Sequence, residues 1–315
     1  MTSAIQPFAS PVEFQARIDA LWVFPIKSCA GIAVAQAELT PTGLAHDRAW
    51  MVVDAEGEMV TQRELPRMAL VQPELVSIGS HLTQLVLHAS GMTALQLATA
   101  HADTSNPVQV RVWDDRVPAF DMGAAASAWL TECLGDSLGP LRLVRFDDRH
   151  RRLSSAKWTP GLQALNQFSD GFPVLVASTA SLDELNSRLQ AQAEAAVDMR
   201  RFRANVVLGR ADVPDAVDLL PHDEDRIGTL TIHSQGQVGG ASAQLKPVKP
   251  CPRCPIPNID PDSAQSHPAV SDMLQAYRQD PRVHGALTFG MNCVPVAGVG
   301  HVLSVGQHVS ADWAF

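Results

Sequence analysis

Short apolar runs separated by polar turn signals dominate the N-terminal part of the chain. Turn residues such as Pro41-Thr42-Gly43 and Ser90-Gly91 fall between these runs. Closely spaced strands without intervening helices are typical of an antiparallel barrel or sandwich. The pattern therefore predicts an N-terminal β-structure, with strands at Ile18–Phe24, Val34–Leu39, Ala49–Val53, Met68–Val76, Gln84–His88 and Val108–Trp113.

The pattern changes after these strands. An Ala-rich segment, Met122–Leu134, spaces its apolar residues for one face of a helix, and Leu141–Phe146 returns to a strand pattern. The next segment, Asp147–Asn166, is polar, basic and interrupted by Pro and Gly. We place a domain boundary near here and predict an N-terminal β-barrel region over 15–140 and a second domain over 141–315.

The second half mixes strands with short helices. A helix is predicted from about Ser181, with Glu184 completing a capping box, and another over Val270–Tyr277. The segment Ser234–Gln244 has low complexity and is typical of a surface loop. The predicted fold class is α+β, mainly β. The strands predicted in this half are Pro173–Ala177, Asn205–Leu208, Gly228–His233, Ala286–Phe289, Val294–Val299 and His301–Val305.

Charge and composition narrow the possible partners. The chain has 24 basic and 33 acidic residues, a formal net charge of −9. General binding to nucleic acid or to an anionic membrane requires a cationic face, so the charge disfavours both classes. With 46% hydrophobic and 18% charged residues the chain is globular. Local clusters of basic residues could still bind one small anion.

The cysteines indicate the compartment. There are five in a long chain, an odd number that disfavours a secreted disulfide framework. No apolar run approaches the roughly 18 residues needed to span a bilayer. The N-terminal segment lacks the pattern of a signal peptide. We therefore expect a cytoplasmic location, with the cysteines as thiols or metal ligands.

The most informative chemistry lies in the C-x-x-C element formed by Cys251 and Cys254. A redox pair would begin a helix, which the prolines that follow disfavour. A structural zinc site needs four ligands, and only Cys293 and His301 could complete one. Two packed cysteines are a third interpretation. The fourth is a single thiolate that binds a soft transition metal.

Three groups of basic residues are candidates for binding an anion. The segment Phe24–Gly31 presents Lys27, a hydroxyl and a glycine after a predicted strand, which suits a phosphate. The segment Met199–Asn205 carries three arginines and a terminal Asn, which could clamp a phosphate and bind a heterocycle. Arg48 and Arg63 lie near strand ends. Taken alone, such groups are more often solvated surface charges than ligand-binding residues.

Taken in order, these motifs resemble the MOSC-domain family (molybdenum cofactor sulfurase C-terminal domains), in the group that carries an N-terminal MOSC β-barrel region. This group includes the mitochondrial amidoxime reducing component and its bacterial counterparts. The resemblance runs from about Ile18 to the C-terminus and implies two intertwined β-barrel-like parts with a few peripheral helices. The matching elements are Pro25–Gly31, Asp47–Trp50, Thr61–Arg63, Phe168–Asp170, Phe202–Asn205, Lys249–Cys254, Asp260–Asp262 and Phe289–Asn292.

The resemblance implies a molybdenum–molybdopterin cofactor held by one protein thiolate. The second cysteine of the C-x-R-C element has this role in the family, which points to Cys254. Asp260 is a candidate proton donor, although an Asx turn would explain it equally well. Pro252 stands where relatives often have Ser, so one hydrogen bond to the cofactor could be lost. The expected cofactor-binding residues are Lys27, Ser28, Arg48, Arg63, Ser169, Arg203, Asn205, Arg253 and Asn292.

The implied activity is reduction of N-hydroxylated compounds, such as amidoximes and hydroxylaminopurines, by removal of an oxygen atom at the metal. The electrons are expected from an external ferredoxin-, flavodoxin- or cytochrome b5-type protein, since the cysteines available form no iron–sulfur cluster pattern. Two other functions stay open. One is a non-catalytic carrier of the molybdenum cofactor or of sulfur, and the other is a zinc-binding β-domain.

Overall fold

The computed structural model of the chain describes residues 14–78, 81–100, 107–212, 217, 219–234 and 243–314. Within these ranges the protein is mainly β, with a closed barrel, a half-barrel and three α-helices. The predicted fold class is therefore confirmed. Most of the low-complexity segment predicted as a loop, Ser234–Gln244, lies outside the described residues.

The N-terminal half begins with a long strand, β1 (Phe14–Val23), whose side chains alternate between buried and half-buried over most of its length. This period of two is typical of a strand with one face in a core. The strand starts four residues before the predicted Ile18. The other strands of this half are β2 (Ile32–Val34), β3 (Gln36–Thr40), β4 (Gly43–Leu44), β5 (Trp50–Val53), β6 (Gln72–Ile78), β7 (His81–His88), β8 (Leu95–Ala98), β9 (Val108–Val112), β10 (Asp115–Asp121) and β11 (Arg142–Phe146).

The second half contains the remaining strands and two of the helices. The described helices are α1 (Ala124–Leu134), α2 (Thr179–Ala191) and α3 (Ala269–Tyr277). The strands are β12 (Arg152–Leu153), β13 (Leu165–Asn166), β14 (Val174–Ser178), β15 (Val206–Arg210), β16 (Ile227–Ile232), β17 (Ala243–Pro252), β18 (Gln279–Asp280), β19 (Ala286–Ala297), β20 (Val302–Ser304) and β21 (His308–Trp313).

Seven strands close the barrel in the order β14-β15-β1-β21-β16-β17-β19, and β14 pairs again with β19. The β14–β15 pair is parallel, and α2 lies in the crossover that such a pair requires. The first strand of the described residues thus completes a barrel whose other strands come from the second half. The barrel core is apolar, with Phe14, Ile18, Val176, Leu230 and Leu245 at 0–1% exposure.

The half-barrel has the order β5-β11-β10-β9 and packs its own apolar cluster around Phe146 and Phe168. Strand β11 lies just beyond the expected boundary at 140/141, yet it pairs with β5 and β10. Strands β3 and β4 form a separate small sheet with β20, near the end of the chain. The two halves are therefore intertwined, and the division at 140/141 stays a prediction.

The N-terminus of α2 differs from the sequence prediction. The helix begins at Thr179, and the N-cap is Ser178, whose Oγ accepts a hydrogen bond from the Ser181 backbone N–H at 3.1 Å. The predicted capping box at Ser181 is therefore wrong. Glu184 instead accepts a hydrogen bond from Arg188, one turn further along the helix, at 2.7 Å. Serine is a preferred N-cap residue, so the local sequence allows either Ser178 or Ser181 as the cap. The buried surroundings of Ser181 determine which of the two caps the helix.

The Pro-rich segment before Cys254 continues a strand. Strand β17 pairs with β19 as far as Pro252. The register shifts between Pro247 and Lys249 and again between Pro250 and Pro252. Proline cannot donate a hydrogen bond to a ladder, so bulges are the positions where a sheet accepts it. The pairing with β19 therefore overrides the local preference of this segment.

Strand β19 also runs without a break, where the pattern predicted two strands. Gly290 and Asn292 interrupt the apolar run, which made the middle resemble a turn. Gly290 has φ +75°, and a Cβ there would lie 2.6 Å from the Val176 carbonyl oxygen. The glycine thus permits the close approach of β14 that closes the barrel.

Membrane insertion by a helix has no support in the fold. Among the described residues, no helix combines the length and the apolar character needed to cross a bilayer. The cytoplasmic location expected from the cysteines stays a prediction.

One carboxylic acid is fully buried beside the start of α2. Glu224 is 0% exposed and accepts hydrogen bonds from the Ser178 hydroxyl at 3.0 Å and the Ser181 hydroxyl at 2.7 Å. Burial raises the pKa of Glu224 to about 7. The folded protein therefore keeps this proton at pH values where the unfolded chain releases it. Stability is lost as the pH rises from the ordinary Glu pKa towards 7.

We expect Glu224→Gln to raise the free energy of unfolding at pH 8 by about 1–3 kcal/mol, because glutamine cannot ionise. The gain should shrink towards pH 4.5, the ordinary Glu value, where the wild-type side chain is protonated when folded. Urea unfolding at several pH values measures this difference. The control, Glu184→Gln in a partly exposed ion pair, should change stability by under about 1 kcal/mol at every pH. A difference that does not vary with pH would contradict the assignment.

Candidate functional site

A cavity of about 170 Å³ brings together residues from both halves of the chain. The N-terminal half contributes the turn after β1 and the β9–β10 turn, and the second half contributes the loop before β14 and the end of β17. Ten of the eleven predicted site residues line it: Lys27, Ser28, Arg48, Arg63, Ser169, Arg203, Asn205, Arg253, Cys254 and Asn292.

The turn after β1 places a buried lysine on the cavity wall. Lys27 is only 5% exposed, and its Nζ donates a hydrogen bond to the Phe168 carbonyl at 3.0 Å and forms an ion pair with Asp170. Burial lowers the pKa of Lys27, and the neighbouring Asp170 carboxylate opposes that effect. Ser28 follows in the left-handed region, at φ +67°. The turn thus presents an ammonium group and a hydroxyl side by side.

Two guanidinium groups lie against one buried phenyl ring. The guanidinium carbons of Arg48 and Arg203 lie 4.5 and 4.3 Å from the Phe24 ring centroid. Gly31 makes room for this ring, since a Cβ there would lie 2.4 Å from a Phe24 ring carbon. Arg203 also donates to the Cys29 carbonyl at 2.6 Å, while Arg48 donates to the Arg203 carbonyl at 3.0 Å. These contacts fix both cations in place.

The backbone at both arginines is in the left-handed region, with φ +49° at Arg48 and +56° at Arg203. Residues other than glycine seldom adopt this conformation, and it persists at ligand-binding sites when the surroundings hold it. Burial and the charge of Arg48 lower the pKa of Arg203 to about 9. The two positive charges are thus close together and partly removed from water.

The cavity has a large excess of positive charge. Its lining contains six cations but one carboxylate, Asp170. Two buried donors, Arg203 Nη2 and Arg253 Nε, have no hydrogen-bond partner among the described residues. A buried donor without a partner is costly, so these atoms indicate an acceptor supplied from outside the chain. An anionic ligand with several acceptor oxygens fits this donor set.

A buried arginine that the sequence analysis missed shapes the Ser169 loop. Arg152 pairs with Asp115 at 2.8 Å and donates to Asn166 Oδ1 and to the carbonyls of Gln167 and Ser169 at 2.6–2.7 Å. The segment around it was expected to be a polar linker at a domain boundary. Its basic composition gave no sign that one arginine is buried. The contact with Asp115, 37 positions away, decides this.

The two asparagines hold the barrel end at the cavity. Asn205 is 1% exposed, and its side chain accepts from the Leu175 N–H at 3.0 Å and donates to the Trp22 carbonyl at 3.2 Å. It therefore ties β14 and β1 to the start of β15. Asn292 lies on β19 opposite Lys249 and is half-buried. Both line the cavity, and Asn205 already uses its carbonyl oxygen and one amide hydrogen on the backbone.

Cys254 lies half-buried on the cavity wall, two residues after β17 ends. The intervening Arg253 fixes this segment, because its backbone N–H donates to the Leu287 carbonyl at 2.7 Å and its Nη2 donates to the Phe202 carbonyl at 2.9 Å. Arg253 Nη1 also lies 3.1 Å from the Cys251 sulfur. Cys254 is thus an accessible thiol among cations, which suits a metal-binding thiolate.

The zinc-site and redox-pair interpretations of the cysteines find no support among the described residues. Cys293 is 0% exposed inside the barrel, so it cannot join His301 in a zinc site, and the described residues contain no group of three or more metal ligands. Only a short 3-10 turn, Ile256–Asn258, follows Cys254, in place of the helix of a redox motif. Burial raises the pKa of the Cys29 thiol to about 12, which leaves it protonated.

Asp260 does not lie among the residues that line the cavity. Its carboxylate accepts from Arg201 at 2.8 Å and from the backbone N–H groups of Asp262 and Ser263 at 3.1 and 2.9 Å. Although burial opposes it, hydrogen bonding from Ser263 and Asp262 lowers the pKa of Asp260. These contacts form the Asx turn that sequence analysis held as the alternative. They favour an ionised carboxylate over a proton donor.

The cavity mouth contains residues that sequence analysis did not select. Trp113, in the turn between β9 and β10, is 38% exposed and donates from Nε1 to Asp170 at 3.0 Å. The Arg63 guanidinium lies 4.5 Å from its ring centroid. Lys249 lies over the rings of Trp158 and Phe172 at 5.6 and 5.7 Å. The sequence pattern predicted a strand that ends at Trp113, but nothing in that pattern indicated a functional site.

Comparison with known proteins identifies the relatives of the chain. The mouse (Mus musculus) mitochondrial amidoxime-reducing component 1 is 33% identical over 265 residues, which are 82% of this chain and 70% of the relative. The human mitochondrial amidoxime reducing component 2 is 31% identical over 265 residues, 82% of this chain and 71% of the relative. The zebrafish (Danio rerio) molybdenum cofactor sulfurase is 29% identical over 307 residues, 92% of this chain but 33% of the relative.

Two family descriptions divide most of the chain between them. Residues 15–137 match the MOSC N-terminal beta barrel domain, and residues 164–310 match the MOSC domain. The resemblance drawn from the order of the motifs is therefore confirmed. The chain belongs to the MOSC-domain family and carries the MOSC N-terminal beta barrel domain ahead of the MOSC domain.

Proposed function

We propose that this chain binds a molybdenum–molybdopterin cofactor through Cys254 and reduces N-hydroxylated compounds. One observation carries the proposal: an accessible thiol shares a cavity with six cations and a single carboxylate. A pterin cofactor with a phosphate and a thiolate-bound metal requires that combination of groups. The relatives named as amidoxime-reducing components support the substrate class.

The positions of the cations suggest how the anionic part would be held. Lys27, Arg48 and Arg203 are partly or fully buried, and Ser28 adds a hydroxyl beside them. Their charges stabilise a phosphate that enters without its water. The unpaired Arg203 Nη2 is a further donor for one of its oxygens. Ser169 and Asn292 present polar groups to a heterocycle.

The metal supplies the chemistry that side chains cannot: when bound, molybdenum is a two-electron centre that can take up an oxygen atom. The protein would hold the cofactor through Cys254 and the cations of the cavity, and those cations would set the local charge. Overall, R–NHOH, two electrons and two protons give R–NH₂ and water. We assign no side chain as the proton donor, since Asp260 is engaged in a turn outside the cavity.

The electrons come from another protein in this proposal. The five cysteines include three that are buried, and the described residues offer no cluster of ligands for an iron–sulfur centre. A ferredoxin-, flavodoxin- or cytochrome b5-type donor meets the need. A non-catalytic carrier of the cofactor would use the same cavity, and turnover distinguishes it from a reductase.

Replacing the proposed metal ligand tests the function directly. We expect Cys254→Ala to lower benzamidoxime reduction by at least about a hundredfold, because the metal loses its protein thiolate. The matched control, Cys251→Ala, should stay within about threefold of wild type, since it removes only a thiol beside Arg253. Both are assayed with an artificial electron donor, and molybdenum per chain is measured by elemental analysis.

The outcomes of this assay separate the candidate functions. Full activity in both cysteine variants would rule out the assignment of Cys254. Molybdenum bound near one per chain without turnover, with any donor, would favour the carrier. Zinc without molybdenum would favour the zinc-binding domain.

The cation cluster makes a second prediction, which concerns the protein prepared without its cofactor. Pyrophosphate should bind saturably, because its oxygens can pair with the buried donors of the cavity. Arg203→Gln should weaken that binding about tenfold or more, as measured by titration calorimetry. Arg116→Gln, at an exposed position on β10 outside the cavity, is the control and should bind like wild type. Equal losses in the two variants would argue against a built anion site.

A further inference from the structure

Trp113 occupies a backbone position that usually requires glycine. Val112 and Asp115 are paired across the β9–β10 hairpin, so Trp113 and Asp114 alone form its turn. Trp113 has φ +55°, in the left-handed region that bulky residues avoid. Glycine is the usual residue at the first position of such a turn. A tryptophan there is strained, so its side chain must have a compensating use.

The Trp113 side chain does not serve in core packing. Trp113 belongs to none of the four buried apolar clusters that the described residues form. Its side chain contacts charged groups: Nε1 donates to Asp170, and the Arg63 guanidinium and the Lys27 ammonium lie over the ring at 4.5 and 5.9 Å from its centroid. Because 38% of the residue stays exposed, these contacts hold the indole in place while leaving part of it accessible.

The indole is the more exposed part of the cavity lining, and its ring centroid lies 5.9 Å from the Nζ of buried Lys27. The side chains of Lys27 and Arg48 are 6% and 13% exposed, whereas Trp113 is 38% exposed as a residue. An anionic cofactor is bound most strongly by the desolvated cations, at the buried end. The exposed indole is then a surface that an incoming substrate meets.

We infer that Trp113 is a specificity-determining residue that stacks on substrates in which an aromatic ring carries the N-hydroxylated group. This inference rests on the proposed reductase function and names a substrate class within it. An indole held at its edge by the Asp170 carboxylate and over its ring by Arg63 and Lys27 cannot turn freely, and its exposed part has a fixed orientation. A flat ring gains from stacking on such a surface, whereas a puckered saturated ring cannot match its shape.

Two substrates with the same reacting group test the inference. Benzamidoxime has an aromatic ring, and cyclohexanecarboxamidoxime has a saturated ring of similar size. Trp113→Gly should lower kcat/KM for benzamidoxime about tenfold through KM, within the range known for aromatic stacking. The same variant should change kcat/KM for the saturated substrate by less than about twofold. Trp113→Phe keeps a flat ring and should restore part of the preference.

Stability and metal content show whether the effect is local. Trp113→Gly should unfold at the same or a higher temperature than wild type, because glycine relieves the left-handed strain. The matched control is Ala193→Gly, since Ala193 is exposed at φ +59° beyond α2 and outside the cavity. It should relieve strain without altering the substrate preference.

Several results would overturn the inference. One is an equal loss for both substrates in Trp113→Gly. Another is a fall in molybdenum per chain, which would show that the indole contacts the cofactor. A lower unfolding temperature with unchanged preference would show that Trp113 only supports the turn.

A binding experiment separates this inference from the proposed function. If wild type reduces no amidoxime, the reductase function fails. Stacking can still be measured, because calorimetry on the metal-loaded protein reports binding of the two amidine products, benzamidine and cyclohexanecarboxamidine. Preferential binding of benzamidine that Trp113→Gly abolishes would support the stacking surface without turnover. Equal binding of both amidines by wild type would reject it.

Discussion

A desolvated guanidinium group without a carboxylate partner, that of Arg203, is the feature on which the site depends. Arg48 and Arg203 both lie on the Phe24 ring; Arg48 forms an ion pair with the buried Asp47, whereas Arg203 has no carboxylate partner among the described residues. The like charges of the two guanidinium groups repel one another, and burial increases the free-energy cost of holding them together. The arrangement persists because backbone carbonyls and the phenyl ring hold each group in place. An anion entering the cavity would relieve the repulsion, which makes the fold and the ligand interdependent.

The intertwined topology explains how such distant residues come together. Strand β1 closes the barrel, so the turn that follows it, with Lys27 and Ser28, lies against strands from the second half. The half-barrel then adds the β9–β10 turn at the mouth. Sheet pairing also determines the position of Cys254. Strand β17 contains three prolines, bulges in its pairing with β19 accommodate them, and the strand ends at the cavity wall. No local preference of that segment would have placed it there.

The floor and the mouth of the cavity differ in physical character. The floor consists of buried cations held by backbone contacts, which suits a tightly bound anion. The mouth consists of more exposed groups, with Trp113 38% exposed and the Asp170 side chain 77% exposed, while left-handed backbone occurs both at Trp113 and at the floor residues Arg48 and Arg203. Strain at such positions lowers stability and is retained where function needs it. The floor and the mouth therefore differ in exposure, and the Lys27–Asp170 ion pair joins them.

The sequence by itself determined the mainly β class, the family and ten residues of the cavity, because strand periodicity and short motifs are local signals. It could not determine which of two serines caps α2, nor that Asp260 lies in an Asx turn and not among the residues that line the cavity. It also gave no sign of Arg152 or Trp113, whose roles depend on partners such as Asp115 and Asp170. Those partners lie tens of residues away. Only the tertiary structure decides such contacts, since burial and charge pairing arise when distant strands close one barrel.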